Sequence, residues 1–188
     1  VLQSAIFADM ENHWARDYAE KLYSENILKG ETNGVQTFYR PDSFITRGEF
    51  AAIITRYLKL DTDSYGECEF ADYAKTPNWV KPYINAVVQE GIMNGRAVGT
   101  KKYFAPNDML TRSEAIAVIG RVLKETQTDY KAEFSDLSDV PDYAINYVNI
   151  LAEKKIIGGY SDGTLRPFGN ITRGECAKII GLLMETSN

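Results

Sequence analysis

Thr172-Arg173-Gly174-Glu175-Cys176-Ala177-Lys178-Ile179-Ile180 is a helix start that the chain repeats twice more. It returns as Thr46-Arg47-Gly48-Glu49-Phe50-Ala51-Ala52-Ile53-Ile54 and as Thr111-Arg112-Ser113-Glu114-Ala115-Ile116-Ala117-Val118-Ile119. Thr followed three residues later by Glu, directly before an apolar run, is the capping-box pattern: the Thr hydroxyl accepts from a first-turn amide and the Glu carboxylate reaches back. Each run is apolar on most sides, which predicts interior helices. Upstream of each start the same features return in the same order: Phe-x-Asp, an aromatic residue, an amphipathic stretch, a glycine, and a loop ending near proline. Phe7, Phe70 and Phe134 open the repeats at spacings of 63 and 64 residues, and the arginines lie 65 and 61 apart. A repeat of that period is a supersecondary unit with its own helices, too small to bury its apolar faces without neighbours.

The first helix of each repeat is legible from spacing. Ala15, Tyr18, Ala19, Leu22 and Tyr23 recur with helical period, as do Val80, Tyr83, Ile84, Val87 and Val88, and then Ala144, Tyr147, Val148 and Leu151. Each stretch runs out at a glycine suited to a C-terminal cap: Gly30, Gly95, and Gly158 or Gly159. The loop that follows is Tyr160-Ser161-Asp162-Gly163-Thr164-Leu165-Arg166-Pro167 in the third repeat, with Asp-Gly as its turn signal. From Gly30 to Pro41 and from Gly95 to Pro106 the interval is three residues longer than from Gly159 to Pro167. The short polar segments 60–69 and 125–133 read as linkers between repeats rather than boundaries between independent domains. The expected repeats are residues 5–62, 63–126 and 127–188, together one module.

Composition narrows the class. With 44% apolar and 25% charged residues among 188, the chain is ordinary globular material. A net charge of −5 without a clustered basic face argues against nucleic acid. No apolar run approaches a membrane span, and Val1 opens without the features of a signal peptide, so the chain reads as a mature product or an excised segment. Cys68 lies in a polar linker and Cys176 in an apolar run, where the other repeats carry Phe50 and Ala115; two unpaired thiols are the expectation. No metal site and no cofactor are expected.

The arginine of the Thr-Arg step needs a separate explanation. A cation in the first helical turn faces the positive end of the helix dipole, which costs about 0.3–1 kcal/mol at exposed sites. Three such arginines, Arg47, Arg112 and Arg173, imply a compensating anion. Internally, Asp9, Asp72 and Asp136 of the Phe-x-Asp motifs are candidates. A ligand carboxylate or phosphate is the other reading, because helix amides with an Arg fork suit an anion.

Phe-x-Asp, then His13-Trp14-Ala15, then helices ending Ile27-Leu28-Lys29-Gly30 or Ile92-Met93-Asn94-Gly95, then Gly159-Tyr160-Ser161-Asp162-Gly163-Thr164-Leu165-Arg166-Pro167 and Ile171-Thr172-Arg173-Gly174-Glu175, together resemble the S-layer homology repeat. The resemblance covers three repeats over nearly the whole chain. It implies an all-α fold in which three repeats form a pseudo-threefold assembly, a three-pronged spindle around a central helical bundle. It also implies an exported, extracellular module held noncovalently at the bacterial cell wall. The ligand it implies is a secondary cell wall polysaccharide, often with a pyruvate ketal on N-acetylmannosamine, faced by Arg47, Arg112 and Arg173.

A ketal-linked pyruvate presents a carboxylate and a methyl on a sugar, which suits a guanidinium beside an aromatic wall. Trp14 and Trp79, with Tyr143 at the same place in the third repeat, are the wall candidates; the bland reading has the tryptophans anchoring helices in the core. Gly30, Gly95 and Gly159 either cap helices or permit close approach of a sugar. The repeats differ, Ala105 standing where the others have Arg40 and Arg166, so the sites are not equivalent. Catalysis is not expected: the only histidine, His13, has no nearby nucleophile in sequence, and Asp139 and Asp142 read as caps or solvated groups. The alternatives are modified peptidoglycan as ligand, or a helical protein-interaction module in which the arginines are structural. As an isolated module the chain is expected to be monomeric, with a cell wall glycan as its partner.

Overall fold

The structure is a computed structural model that describes residues 5–186; Val1 and the last two positions of the third expected repeat lie outside the described residues. The described residues form six α-helices: α1 Arg16–Ser24, α2 Arg47–Tyr57, α3 Lys81–Gln89, α4 Arg112–Leu123, α5 Asp142–Glu153 and α6 Arg173–Thr186. The expected all-α class needs one amendment. The longer loops of the first two repeats form antiparallel ribbons, β1 Glu31–Thr32 with β2 Thr37–Phe38 and β3 Arg96–Val98 with β4 Lys101–Tyr103. The third loop, three residues shorter, closes on a turn in which the Tyr160 amide donates to the Thr164 carbonyl at 2.8 Å and Gly163 takes φ of 81°.

The chain divides into two compact units. One runs through Phe44 and resumes at Thr111, and the other is Ile45–Leu110. In the second, α2 packs on α3, with the Arg56 guanidinium 4.9 Å from the Tyr83 ring centre. In the first, α6 packs on α1, α4 packs on α5, and α4 also touches α6. The second helix of a repeat thus packs on the first helix of the following repeat, and α6 of the last repeat on α1 of the first. Small residues permit this. A Cβ on Gly181 would lie 2.6 Å from the Tyr18 ring, and one on Gly120 would collide with Tyr147. The second helices are interior, as their pattern requires: Phe50 to Thr55, Ala115 to Gly120, and Cys176, Ala177, Ile179 and Ile180 are buried. Cys68 and Cys176 are free thiols.

All three capping boxes form. The Glu49 amide donates to Thr46 Oγ1 at 3.2 Å while the Thr46 amide donates to Glu49 Oε2 at 2.8 Å, and the Thr111–Glu114 and Thr172–Glu175 pairs repeat the exchange.

Two expectations are corrected. The residues that leave the first helices in left-handed conformation are Asn26, Gly91 and Lys155, not Gly30, Gly95 and Gly159. Those three glycines clear the Phe of the Phe-x-Asp motif: a Cβ on Gly30 would sit 2.7 Å from Phe7 and 2.9 Å from the Phe38 carbonyl, and Gly95 and Gly159 meet Phe70 and Phe134 in the same way. The aspartates, in turn, do not pair with the arginines. Asp9 accepts from the amides of Tyr39 and Arg40 at 2.9 and 2.7 Å, Asp72 from Phe104 and Ala105 at 3.0 and 2.8 Å, and Asp136 from Leu165 and Arg166 at 2.7 and 2.8 Å. Arg40, Ala105 and Arg166 have φ of 58°, 55° and 57°, a conformation that costs a non-glycine residue about 1 kcal/mol or more. The paired carboxylate bonds stabilise it, so Phe-x-Asp clamps a loop.

Two adjacent glycines test the packing account. Gly159→Ala places a methyl 2.9 Å from the Thr164 carbonyl and 3.0 Å from Phe134, whereas Gly158→Ala meets nothing within 4 Å. Urea unfolding should show Gly159→Ala destabilised by about 1–3 kcal/mol and Gly158→Ala within about 0.5 kcal/mol of wild type. Equal effects would remove the steric explanation.

Candidate functional site

The helix start that carries the arginine is closed by a loop from another repeat. The Arg112 and Ser113 amides donate to the carbonyls of Gly169 and Pro167 at 2.9 and 3.0 Å, and the Ser113 hydroxyl donates to the same Pro167 oxygen. Arg47 and Gly48 donate likewise to Asp108 and Pro106, and Arg173 and Gly174 to Ser43 and Pro41. With the third amide bonded to the Thr hydroxyl, the first-turn donors are occupied. The helix amides therefore do not form the anion platform that the sequence suggested, and only the arginine side chains are left for that role.

Those side chains have internal partners too. Nε of Arg47, Arg112 and Arg173 donates to the carbonyls of Phe104, Leu165 and Tyr39, each at 2.8 Å. Arg47 Nη2 also donates to Asn94 O at 2.8 Å, beside Gly95. Each guanidinium lies over an aromatic ring, Phe104, Tyr160 or Tyr39, at 4.9 to 5.1 Å. Arg47 and Arg112 are 3% and 6% exposed. The anion beside Arg112 is the capping carboxylate of another repeat: Glu175 Oε1 lies 3.2 Å from Arg112 Nη1 while Oε2 caps Thr172. One residue therefore serves a helix end and a cation.

Above Arg112 the first unit opens a groove of about 200 Å³. Trp14 of the first repeat, Arg112 of the second, and Gly159, Tyr160, Glu175 and Lys178 of the third line it, over a floor of Ile156, Ile157 and Ile179. Three of the expected site residues, Trp14, Arg112 and Gly159, are thereby brought together from three repeats. The Tyr160 hydroxyl donates to Glu175 Oε1 at 2.5 Å, and its ring lies against two guanidinium groups, Arg112 at 4.9 Å and Arg166 at 3.9 Å from the ring centre. The Thr164 hydroxyl, then Arg166 paired at 2.9 Å and the Thr164 amide, hold the Asp162 carboxyl well below the usual range.

The core-anchor reading of the tryptophans fails: Trp14 and Trp79 are both 56% exposed, and Tyr143 is 50% exposed. Trp79 lies just before α3 and Tyr143 in the first turn of α5. Gly30 and Gly95 pack against Phe7 and Phe70 as described. Tyr160, Glu175 and Lys178 were missed as lining residues. Lys178 had a signal, since it stands where the other repeats carry Ala52 and Ala117. His13 is accounted for locally, Nδ1 accepting from the Ala15 amide at 3.1 Å and Nε2 lying 3.3 Å from Asp42 Oδ1. Among the described residues no group of three or more His, Cys, Asp or Glu side chains suits a metal ion, and no helix is long and apolar enough to cross a membrane.

Helix pairs exchanged between repeats, each second helix capped at a Thr-Arg step, with a groove lined from all three repeats, define a tandem-repeat helical module. The S-layer homology domain model matches residues 6–51, 69–116 and 133–177, and the chain belongs to that family. It is 36% identical over 97% of its length to an amylopullulanase of Thermoanaerobacterium thermosulfurigenes, covering 10% of that protein. It is 30% identical over 92% of its length to the surface-layer 125 kDa protein of Lysinibacillus sphaericus, covering 14% of it. It is 31% identical over 85% of its length to a cellulosome-anchoring protein of Acetivibrio thermocellus, covering 35% of it. The chain thus spans about a tenth to a third of these relatives. Membership places it outside the cell, at the cell wall, among noncatalytic anchoring modules.

Burial and the Glu175 carboxylate both push the Tyr160 phenol up. A folded-state value above the unfolded one means stabilisation that is complete below about pH 10 and lost as pH rises through the folded value. Tyr160→Phe should be less stable than wild type by about 1 kcal/mol at pH 7, and the gap should narrow in chemical unfolding above about pH 10. A gap constant from pH 7 to 11 would separate the phenol proton from stability.

Proposed function

We propose that the chain is a noncatalytic cell-wall anchoring module that binds secondary cell wall polysaccharide, with a pyruvate ketal carboxylate on N-acetylmannosamine as the recognised group. The observation that carries the proposal is the groove joining Trp14, Arg112 and Gly159. Its exposed indole suits the apolar face and methyl of a ketalised sugar, and Gly159 lets the backbone approach a ring. Nε and Nη1 of Arg112 are engaged by Leu165 and Glu175, and the guanidinium borders the groove, where it would meet the carboxylate edge-on. Arg47 and Arg173 with Trp79 and Tyr143, and Gly30 and Gly95, are proposed for corresponding sites. The cyclic exchange of helix pairs supports a pseudo-threefold spindle of repeats 5–62, 63–126 and 127–188; a monomeric state is part of the proposal. A second reading has support as well: the carbonyl bonds of Arg47, Arg112 and Arg173 give these residues a structural role whatever they bind.

Calorimetric titration with a pyruvylated N-acetylmannosamine glycoside, with folding monitored by circular dichroism, separates the readings. Trp14→Ala removes an exposed ring and should leave the fold intact while weakening binding at least tenfold; Arg112→Lys keeps the charge but loses the fork and should also weaken binding. Saturable binding by wild type that survives Trp14→Ala unchanged would move the site elsewhere. No binding by wild type would remove this ligand.

A further inference from the structure

The charges lining the groove do not balance. Arg112 and Glu175 face each other at 3.2 Å and cancel, and Tyr160 is neutral below about pH 10. Lys178 remains. Its side chain is exposed at the groove, its ammonium is 6.0 Å from the Trp14 ring centre, and it makes no ion pair with any of the described residues. It is also peculiar to this helix, since Ala52 and Ala117 hold the same place in α2 and α4 and are buried there. A cation 6.0 Å from the centre of an exposed indole is at the outer limit of such a contact, leaving the ammonium able to turn toward a ligand on the same wall.

We infer that Lys178 is the residue that makes this groove select an acidic over a neutral sugar, with Arg112 orienting the carboxylate and Lys178 supplying the net positive charge. The inference rests on the glycan reading above and deepens it. Arg112 cannot supply the selectivity alone, because an anion entering beside it also approaches the Glu175 carboxylate, and like charges at hydrogen-bonding range repel about as strongly as Arg112 attracts. A point charge on a flexible four-carbon stem at the groove edge has no such opponent. Because the site faces solvent, its contribution should depend on salt.

The test compares the pyruvylated N-acetylmannosamine glycoside with its methyl ester, which keeps the shape and removes the charge, against wild type, Lys178→Ala and Lys178→Arg at two salt concentrations. Wild type should prefer the acid about tenfold at low salt, with the preference shrinking at high salt. Lys178→Ala should bind acid and ester about equally, and Lys178→Arg should keep the preference. Wild-type binding with the acid preference intact in Lys178→Ala overturns the role of Lys178 and leaves the glycan reading standing. Absence of binding by wild type to either compound overturns both.

Discussion

The structure depends on one unmet need: an α-helix cannot satisfy its own first-turn amides. In each second helix the Thr hydroxyl covers the third of them, and the carbonyls of a neighbouring repeat's proline loop cover the first two. The arginine side chain then reaches into the same loop and takes the carbonyl just before its left-handed residue. That residue keeps its conformation because a Phe-x-Asp carboxylate holds its own amide and the amide of the residue before it. Cap, arginine and aspartate thus form one chain of hydrogen bonds linking repeats.

Much of this was legible in the residues. Thr and Glu at capping-box spacing marked three helix starts, and the apolar runs behind them proved interior. What failed were statements that needed a partner distant in sequence. Asp136 meets amides of residues 165 and 166, and Gly159 meets Phe134. A motif shows that a carboxylate or a missing Cβ is required at a position, but not which group faces it. Glycines near helix ends suit a cap or the approach of a sugar equally well in sequence, and the ring each one clears lies far away in the chain. Trp14 was harder still, since the same indole suits a core or a wall, and only its exposure separates them.

The candidate site is built from what the scaffold leaves over. Arg112 is committed by Leu165 and Glu175, and Tyr160 is held by Glu175 and by contact with two guanidinium groups. These rigid parts give the groove its shape, and the exposed Trp14 and Lys178 give it surface to offer. The third repeat achieves the same stacking by different residues: Leu165 stands where Tyr39 and Phe104 lie over their arginines, and Tyr160 supplies the missing ring from the turn.

The pairing of α6 with α1 also shapes how the chain reaches its folded state. Residues 16–24 find their helical partner only when residue 173 and those after it are present, and the Pro41 loop closes the last helix start. Contacts between such distant segments slow folding, because loop closure must precede the stabilisation it permits. During export or synthesis from the N-terminus, the apolar face of α1 stays uncovered until the end of the third repeat arrives. The Ile45–Leu110 unit, whose helices α2 and α3 are neighbours in sequence, can form first and hold the chain compact meanwhile.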